Sequence, residues 1–339
     1  MDSKVTLVAE TLNPDKGGIP RYSYEISKTK GIKNVIEFSK SISNDGIVNK
    51  YLNKLYRRKK ALEARINDIE KVVHFTQPEI MFKSKILEGR KTILTVHDLA
   101  VFGTMKVKGL YGVVRGAAFR SQFRFDVNRV DVIMANSTQT AEELVSVLNV
   151  DRKKIVVDDL GIDSKFRKMN VKKINAIGYF GGFNRRKRVE KLILDFLGSK
   201  IGNKIPLVIY GDSEDYPGLK AKYGRSPNII FKGKIPESEI VKTINSFNYF
   251  VYPSSYEGFG LPLLEAVACG VPSFVYRDAV IPKEVKKYAV EIEKIDDLLG
   301  YDYKKLAVDF NKLANKAKKE FSWERNRKIL SEQYLKLSR

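Results

Sequence analysis

Two carboxylates that flank a glycine-rich turn are the residues of this 339-residue chain best suited to chemistry. Glu257 and Glu265 lie eight positions apart, on either side of Gly258-Phe259-Gly260-Leu261-Pro262. The glycines let the backbone approach a ligand closely, and the helix that begins here presents unpaired N–H groups, which form a ready anion site. The N–H groups concerned belong to Phe259, Gly260 and Leu261.

The two carboxylates require a different ligand group from the amides. Beside a diphosphate, ionised Glu257 and Glu265 would repel it, whereas they accept hydrogen bonds from the vicinal hydroxyls of a sugar or a ribose. A site that holds a phosphate on amides and two polyols on carboxylates describes a nucleotide sugar. The plain structural alternative is an ordinary strand–turn–helix in which both glutamates lie near the positive end of a helix.

A second constellation places cations at the start of a helix. Within residues 177–189 a strand ends in Gly181-Gly182 and is followed by Arg185-Arg186-Lys187-Arg188. Cations there oppose the helix dipole, so their placement requires a compensating anion. A bound diphosphate would supply one, with arginine as a fork donor and lysine as a point charge. The alternative is a solvated basic surface turn.

Strands that alternate with helices must position these residues. Short apolar runs and helix-length segments alternate along the whole chain, which predicts parallel sheets built of βαβ units. The predicted strands are 5–9, 34–38, 71–75, 92–96, 131–135, 154–157, 174–180, 206–210, 228–232, 249–252, 272–276 and 288–292. The predicted helices are 19–30, 46–70, 138–148, 187–198, 236–246, 262–269, 302–320 and 324–336.

Twelve strands are many for one open sheet, and two doubly wound domains explain them better. We therefore predict an α/β protein with a first domain over 1–165, a second over 166–322, and a C-terminal helix in 323–339 that crosses back to the first. Two such Rossmann-like domains would face each other across a cleft. Ligands of such sheets bind at the carboxyl ends of the strands, so the loops that follow strands are the candidate sites.

Three further loops follow predicted strands. Gly17-Gly18 opens the first helix, His97 follows the strand 92–96 and precedes Asp98, and Lys234-Ile235 follows the strand 228–232. Each has a bland explanation: a simple turn, a structural histidine, and ordinary βα-turn chemistry. The second histidine, His74, also ends a strand and is interpreted as structural or acceptor-side.

The stretch from Glu257 to Glu265 resembles the Glu-x7-Glu signature of retaining glycosyltransferases with the GT-B fold, in particular glycosyltransferase family four. The similarity extends from the Gly17-Gly18 loop to about residue 285, and its C-terminal part is the more specific. The resemblance implies that Glu257 contacts the hydroxyls of the donor sugar and that Glu265 binds the ribose of the nucleotide. It also implies that the amides between them hold the distal phosphate.

The same resemblance implies roles for the cations. In the family a lysine that corresponds to Lys187 and a nearby arginine bind the diphosphate. Many members carry that arginine directly after the first glycine of the loop, where this chain has Gly182. We therefore assign the role to Arg186, with Arg185 as its competitor.

The resemblance also covers the three further loops. Val96-His97-Asp98 matches the family's active-site histidine loop, which implies that His97 hydrogen-bonds the transferred sugar. Gly17 and Gly18 correspond to a loop that faces the acceptor and the donor phosphate. Lys234 and Ile235 fall in a loop that surrounds the nucleobase.

The expected reaction is sugar transfer from a nucleotide sugar with retention of the anomeric configuration. No Asp-x-Asp motif is present, and cations with a helix N-terminus can stabilise a departing diphosphate, so we expect neither a metal nor a cofactor. A double displacement needs a carboxylate on the opposite face of the anomeric carbon, and the sequence assigns no residue to that role. Front-face attack with the leaving phosphate as base is therefore favoured.

Composition excludes several other classes. An apolar content of 43% excludes general disorder, and the single cysteine, Cys269, excludes an intramolecular disulfide framework and a cysteine-based zinc site. Two histidines leave little for a histidine-rich metal centre. No run approaches 18 apolar residues and no secretory signal is visible, so we expect a cytoplasmic protein, with peripheral attachment to the inner face of the membrane as an option.

The charge balance of 62 basic against 40 acidic residues, +22 overall, favours anionic partners. The expected partners are the nucleotide-sugar donor, a glycan or lipid-linked acceptor and an anionic membrane surface. The membrane surface is expected because residues 50–65 and 105–125 are basic and carry apolar side chains. Core-facing helices with a solvated basic face explain the same stretches. The alternative function is nucleic-acid binding or modification, although no helix-turn-helix, RNA-recognition or zinc pattern is present.

Overall fold

The computed structural model describes residues 3–40, 60, 63–65, 67, 69–81, 87–103, 109–211 and 215–339. The chain divides into two compact units: a first unit of Met1–Leu160 with Trp323–Arg339, and a second unit of Gly161–Ser322. The division between the units thus follows residue 160, whereas the sequence predicts a domain boundary after residue 165. Most of the predicted helix 46–70, including most of its basic residues, lies outside the described residues.

The first unit contains a six-stranded parallel sheet in the order β2-β1-β3-β4-β5-β6. Its strands are β1 (Val5–Ala9), β2 (Ile32–Glu37), β3 (Val72–Phe75), β4 (Lys91–Val96), β5 (Val132–Ala135) and β6 (Ile155–Val157). Its described helices up to this point are α1 (Gly18–Ile26), α2 (Ala100–Gly103), α3 (Gly109–Arg129) and α4 (Thr138–Leu148). Ser137 caps α4 by accepting a hydrogen bond from the Thr140 amide.

The second unit contains another six-stranded parallel sheet, in the order β12-β11-β10-β7-β8-β9. Its strands are β7 (Ile177–Phe180), β8 (Leu207–Tyr210), β9 (Ile229–Gly233), β10 (Tyr249–Tyr252), β11 (Ser273–Tyr276) and β12 (Val290–Ile292). Its described helices are α5 (Val189–Leu197), α6 (Tyr216–Tyr223), α7 (Ile240–Ser246), α8 (Leu261–Ala268), α9 (Lys283–Lys286) and α10 (Tyr303–Glu320).

The last helix, α11 (Trp323–Leu337), belongs to the first unit. It packs on α1, where Arg327 donates to Glu25 over 3.1 Å. The chain therefore leaves the first unit after Leu160 and returns to it at Trp323. Close to these two points, and within the second unit, the Ile162 amide donates to the Phe321 carbonyl oxygen over 3.0 Å.

The twelve predicted strands and the two doubly wound sheets are confirmed. Strands such as β1, β3, β7 and β11 are buried along their whole length, because helices cover both faces of a parallel sheet. Within the described part of the chain, no helix combines the length and apolar content that crossing a bilayer requires.

The strand order locates the ligand-binding edge of each sheet. In the second sheet the winding direction reverses between β7 and β10, and in the first it reverses between β1 and β3. Ligands of doubly wound sheets bind outside the carboxyl ends of the strands at such a reversal. The loops after β7 and β10 are those that carry the predicted cations and carboxylates.

Candidate functional site

The loops that follow β7 and β10 are bound together by backbone hydrogen bonds. The Ser255 amide donates to the Arg186 carbonyl oxygen over 2.7 Å, and the Ser255 hydroxyl donates to the same oxygen over 3.0 Å. In the loop after β11, Val280 exchanges bonds with this segment: it donates to Ser255 over 2.8 Å and accepts from Glu257 over 2.9 Å. Three loops therefore form one framework at the carboxyl edge of the second sheet.

Glu257 lies at the centre of this framework and is 5% exposed. Its Oε1 accepts hydrogen bonds from Lys187 Nζ over 2.5 Å, from the Tyr252 hydroxyl over 2.7 Å, and from the Ser254 hydroxyl. Its Oε2 accepts from Arg186 Nη1 over 2.7 Å. Lys187 Nζ also lies 2.9 Å from the Tyr252 hydroxyl oxygen. The sequence elements 186–187 and 252–257 thus form a single charged cluster.

The protonation states of this cluster follow from its contacts. Burial alone would raise the pKa of Glu257, but the charges of Lys187 and Arg186 and the donated hydrogen bonds outweigh burial and lower that pKa to about 2. Burial, together with the Glu257 charge, raises the pKa of Tyr252 well above its usual value. At neutral pH the carboxylate is therefore ionised and the tyrosine keeps the proton that it donates.

Contrary to the prediction from the sequence, the cations at the helix start do not depend on a bound diphosphate for charge compensation. Carboxylates of the protein already provide the compensating charge. Glu257 pairs with Arg186 and Lys187, and Asp278 pairs with Arg188 over 2.7 Å. With two cations on one carboxylate, the Glu257 cluster still has a net charge of +1 and favours an anion.

The structure separates the two arginines that competed for the phosphate role. Arg186 is partly buried and bonds to Glu257 and to the Tyr256 carbonyl oxygen, the latter over 2.9 Å. Arg185 is exposed. The geometry therefore favours Arg186 as the partner of Lys187.

The start of α8 presents its amides next to this cluster in sequence. Gly260 precedes the helix with φ 110°, a left-handed conformation that glycine adopts without strain, and no side chain caps the helix. Its carbonyl oxygen accepts from Leu263 over 3.1 Å, so the amides of Phe259, Gly260 and Leu261 precede the first intrahelical bond. Glu265 lies one turn into α8 and is 5% exposed.

The loops after β8 and β9 supply the predicted base-side residues. Ile235 is buried and Lys234 is exposed. Gly211 directly follows β8 with φ 153°, and an added Cβ would lie 2.0 Å from the Gly181 carbonyl oxygen and 2.4 Å from the ring of Phe183. The close approach of the loops after β7 and β8 therefore depends on glycine at position 211. Asp212 lies outside the described residues.

In the first unit, His97 lies directly after β4. Its Nε2 lies 2.9 Å from the Thr76 carbonyl oxygen, to which it donates, so the lone pair of the neutral ring is on Nδ1. Burial lowers the pKa of His97 although Thr76 and Asp98 act in the opposite direction. The ring meets Tyr22 edge-on, with centroids 4.9 Å apart. A neutral His97 with an accepting Nδ1 is thus fixed at the carboxyl edge of the first sheet.

Gly17 and Gly18 lie where α1 begins, in the loop after β1. Gly17 has φ 125°, and among the described residues nothing beyond its chain neighbours lies within 4 Å of the position that a Cβ would occupy. The space around Gly17 is open, so a ligand can approach this backbone closely.

A buried hydrogen-bond chain, which the sequence did not reveal, supports this edge. His74 is fully buried: its Nδ1 is 2.7 Å from the Tyr334 hydroxyl and its Nε2 is 2.8 Å from Thr95 Oγ1. Thr95 Oγ1 lies 2.7 Å from the hydroxyl of Tyr22, whose ring contacts His97. Burial lowers the pKa of His74 to about 3, so the chain is uncharged. The structural interpretation of His74 fits this position.

Asp158, directly after β6, is a second feature of the first unit that sequence reasoning missed. The side chain is 3% exposed, and among the described residues neither carboxylate oxygen has a hydrogen-bond partner of good geometry. Burial, and then the charge of Asp159, raise the pKa of Asp158 well above its usual value. No group of three or more His, Cys, Asp or Glu side chains in the part of the chain that the structure describes could hold a metal ion.

Two Rossmann-like units, each built on a six-stranded parallel sheet, are typical of the GT-B class of fold. Solved structures share this fold over nearly the whole chain. Sucrose-phosphate synthase from Thermosynechococcus elongatus superposes with a TM-score of 0.74 at 17% identity, covering 98% of this chain and 99% of that one. HepE from Anabaena, solved in complex with UDP-glucose, gives 0.73 at 14% identity over 98% and 99%. At these identities the likeness establishes the fold.

Sequence comparison identifies the second unit more closely. Residues 162–326 match the family described as glycosyl transferases group 1, which confirms the predicted resemblance over this part of the chain. The O-antigen chain mannosyltransferase B of Escherichia coli is 23% identical over 213 residues, 58% of this chain and 55% of that protein. A GDP-mannose-dependent alpha-mannosyltransferase of Mycolicibacterium smegmatis is 28% identical over 228 residues, 63% and 57%.

The chain matches little more than half the length of these two curated relatives. These matches give no support to the nucleic-acid alternative.

Proposed function

We propose that the protein transfers a sugar from a nucleotide-sugar donor to an acceptor hydroxyl and that the second unit binds the donor. The observation that carries this proposal is the buried Glu257 cluster at the carboxyl edge of the second sheet. It combines two cations, one ionised carboxylate and the uncapped start of α8 at the point where the sheet winding reverses. Cations and amides suit a diphosphate, and a carboxylate suits sugar hydroxyls.

Each candidate site residue of the second unit then has a defined role. Arg186 and Lys187 neutralise the diphosphate as the bond to the sugar breaks, while Glu257 accepts hydrogen bonds from the sugar. Glu265 accepts from the ribose hydroxyls. The amides of Phe259, Gly260 and Leu261 hold the distal phosphate, and Lys234 and Ile235 border the base.

The first unit supplies the acceptor-side residues in this proposal. His97 is held by Thr76 with Nδ1 as its acceptor atom, so it accepts a hydrogen bond from a sugar hydroxyl. Gly17 and Gly18 leave the backbone accessible to the ligand.

The reaction proposed is a front-face substitution with retention. The acceptor hydroxyl attacks the anomeric carbon as the bond to the diphosphate breaks, and the leaving phosphate oxygen takes the acceptor proton. Arg186, Lys187 and the amides at the start of α8 stabilise the charge that develops on that oxygen, which is the task that a metal ion performs in other transferases.

We propose a mannosyl donor, with GDP-mannose as the first compound to test. The support is the pair of relatives described as a mannosyltransferase and as a GDP-mannose-dependent alpha-mannosyltransferase. UDP-glucose is the comparison donor, because HepE was solved with it.

The direct test is release of nucleoside diphosphate from a panel of GDP- and UDP-sugars, first without acceptor and then with mannosyl acceptors. We expect turnover with at least one donor, and strong loss of that turnover in Glu257→Ala and Lys187→Ala variants that remain folded. Wild-type-like turnover in either variant would contradict the site. The absence of nucleotide binding to the wild-type chain, measured by thermal shift with GDP and UDP, would contradict the function.

A lipid-linked acceptor at an anionic membrane is the second part of the proposal. Its support is the exposed face of α3, where Arg124 and Arg129 accompany Phe125, which is 38% exposed. Arg129 lies 4.7 Å from the centroid of the Phe125 ring. Co-sedimentation with vesicles of phosphatidylglycerol, compared with phosphatidylcholine, should show binding that Arg124→Glu with Arg129→Glu weakens. Equal recovery with both vesicle types would refute it.

A further inference from the structure

Arg188 has a backbone conformation that arginine rarely adopts. It directly precedes α5 with φ 48° and ψ 35°, in the left-handed region that favours glycine. Of the described residues, it is the only one other than glycine and asparagine with a positive φ. Residues held in such a conformation persist when the surrounding contacts determine it, and they cluster at functional sites.

The side chain of Arg188 shows which contacts determine it. Its Nε donates to the Pro253 carbonyl oxygen over 2.7 Å, and its Nη2 lies 3.3 Å from the Ser254 carbonyl oxygen. Its Nη1 and Nη2 bind the two carboxylate oxygens of Asp278 over 2.7 and 2.9 Å. The guanidinium therefore joins the loops after β7, β10 and β11, and its side chain is 16% exposed.

We propose that Arg188 is a positioning residue that holds the loop of Arg186 and Lys187 against the loop of Glu257. The residue directly follows Lys187, and its side chain binds the backbone three and four residues before Glu257. A planar fork with five donors can make these four hydrogen bonds in a fixed geometry, whereas a lysine ammonium has three donors on a single nitrogen. The left-handed backbone is the conformation that directs this fork across the gap between the loops.

The structural part of this inference is independent of the activity. Hydrogen exchange at the Ser255 amide reports the contact between the loops, because that amide donates to the Arg186 carbonyl oxygen. Arg188→Gly removes the fork and leaves a residue that suits the backbone, so the variant is expected to fold. Arg185→Gly, three positions earlier and exposed, is the matched control. We expect exchange at Ser255 to rise about tenfold or more in Arg188→Gly, which corresponds to opening of this contact, and to stay at the wild-type rate in the control.

The catalytic part rests on the proposed function. Misplacement of reacting groups by about 1 Å can reduce rates about 100-fold, so Arg188→Gly should lower kcat about 10- to 100-fold. The donor KM should change less, because Arg186, Lys187 and Glu257 all remain. Arg188→Lys should fall between the wild type and Arg188→Gly, and Asp278→Asn should reproduce part of the loss.

The outcomes separate the two claims. If Arg188→Gly matches Arg185→Gly in both exchange and kcat, the positioning role is wrong. If the wild-type chain turns over no nucleotide sugar, the proposed function fails, and the exchange measurement alone decides whether Arg188 holds the loops together. Faster exchange at Ser255 with an unchanged kcat would overturn the catalytic part and keep the structural one.

Discussion

Replacing Glu257 by glutamine removes the charge that Arg186 and Lys187 share but preserves the shape of the side chain. Glutamine imitates the neutral carboxylic acid, so the shift in the pKa of Glu257 measures the free energy of unfolding that the substitution removes. Relative to the usual value of 4.5, a pKa of about 2 corresponds to about 3 kcal/mol of stability at pH 7. Removing one partner of a buried ion pair costs about 3–5 kcal/mol in other proteins, which agrees with this magnitude.

The pH dependence of this loss has a definite sign. Because the pKa of Glu257 is lower in the folded protein, its contribution is present above about pH 4.5 and is lost as the pH falls towards 2. For a unit of this size, 1 kcal/mol shifts Tm by roughly 2–4 °C, so Glu257→Gln should lower the transition of the second unit by about 6–12 °C at pH 7. The difference from the wild type should narrow below pH 4.5.

Differential scanning calorimetry between pH 3 and 7 measures both effects. Glu190→Gln is the control, because Glu190 forms an exposed pair with Lys222 in the same unit and should contribute at most about 1 kcal/mol. A loss in Glu257→Gln no larger than in this control, or one that does not vary with pH, would refute the interpretation of the cluster. The variant should also bind GDP or UDP at least as tightly as the wild type, since both cations lose their internal anion.

Three further variants test other parts of the structure. Asp158→Asn should raise Tm at pH 7 and have little effect near pH 3.5. Because the pKa of Asp158 is raised in the folded protein, the buried carboxyl becomes increasingly unfavourable as the pH rises above the pKa of aspartate in the unfolded chain. Equal Tm values of the variant and the wild type at pH 7 would contradict this. Tyr334→Phe leaves His74 Nδ1 without its partner and should cost about 1–3 kcal/mol in urea unfolding, whereas Tyr24→Phe, at an exposed position, should cost almost nothing. Gly211→Ala should abolish nucleotide binding and destabilise the second unit by more than about 3 kcal/mol, roughly the upper range of overpacking, because the added Cβ would overlap the Gly181 carbonyl group. A variant with wild-type nucleotide affinity would show that the loops after β7 and β8 separate easily.

Much of the fold follows from the sequence because strand and helix periods are local properties. The predicted bounds of β1, β10 and α4 match the structure to the residue. The helix predicted over 187–198 begins two residues later, at Val189, because Arg185–Lys187 form a 3-10 turn and Arg188 turns left-handed. That change of backbone conformation depends on contacts with distant loops, which periodicity does not report.

The candidate site was predictable to the extent that strand ends converge. Lys187 and Glu257 both follow predicted strands of the second domain, which places them at one edge of its sheet. In the structure they form a direct ion pair. The residues that support Lys187 and Glu257 were not predictable. The sequence indicates only that Tyr252 belongs to a strand, and Arg188 contacts Asp278 across 90 positions of sequence. A long-range pair of common residue types leaves no local signal, so such partners emerge only from the folded chain.

The hydrogen bond between Ile162 and Phe321 brings the first and last residues of the second unit close together. That unit is consequently an insertion whose ends nearly touch, so it can be excised as a cassette and the remaining chain rejoined by a short linker. Under the proposed function, exchanging the second unit for that of a related protein should change donor preference while leaving the sequence of the first unit unaltered. Truncation from the C-terminus, in contrast, would remove Trp323–Arg339 and damage the host before reaching the insert.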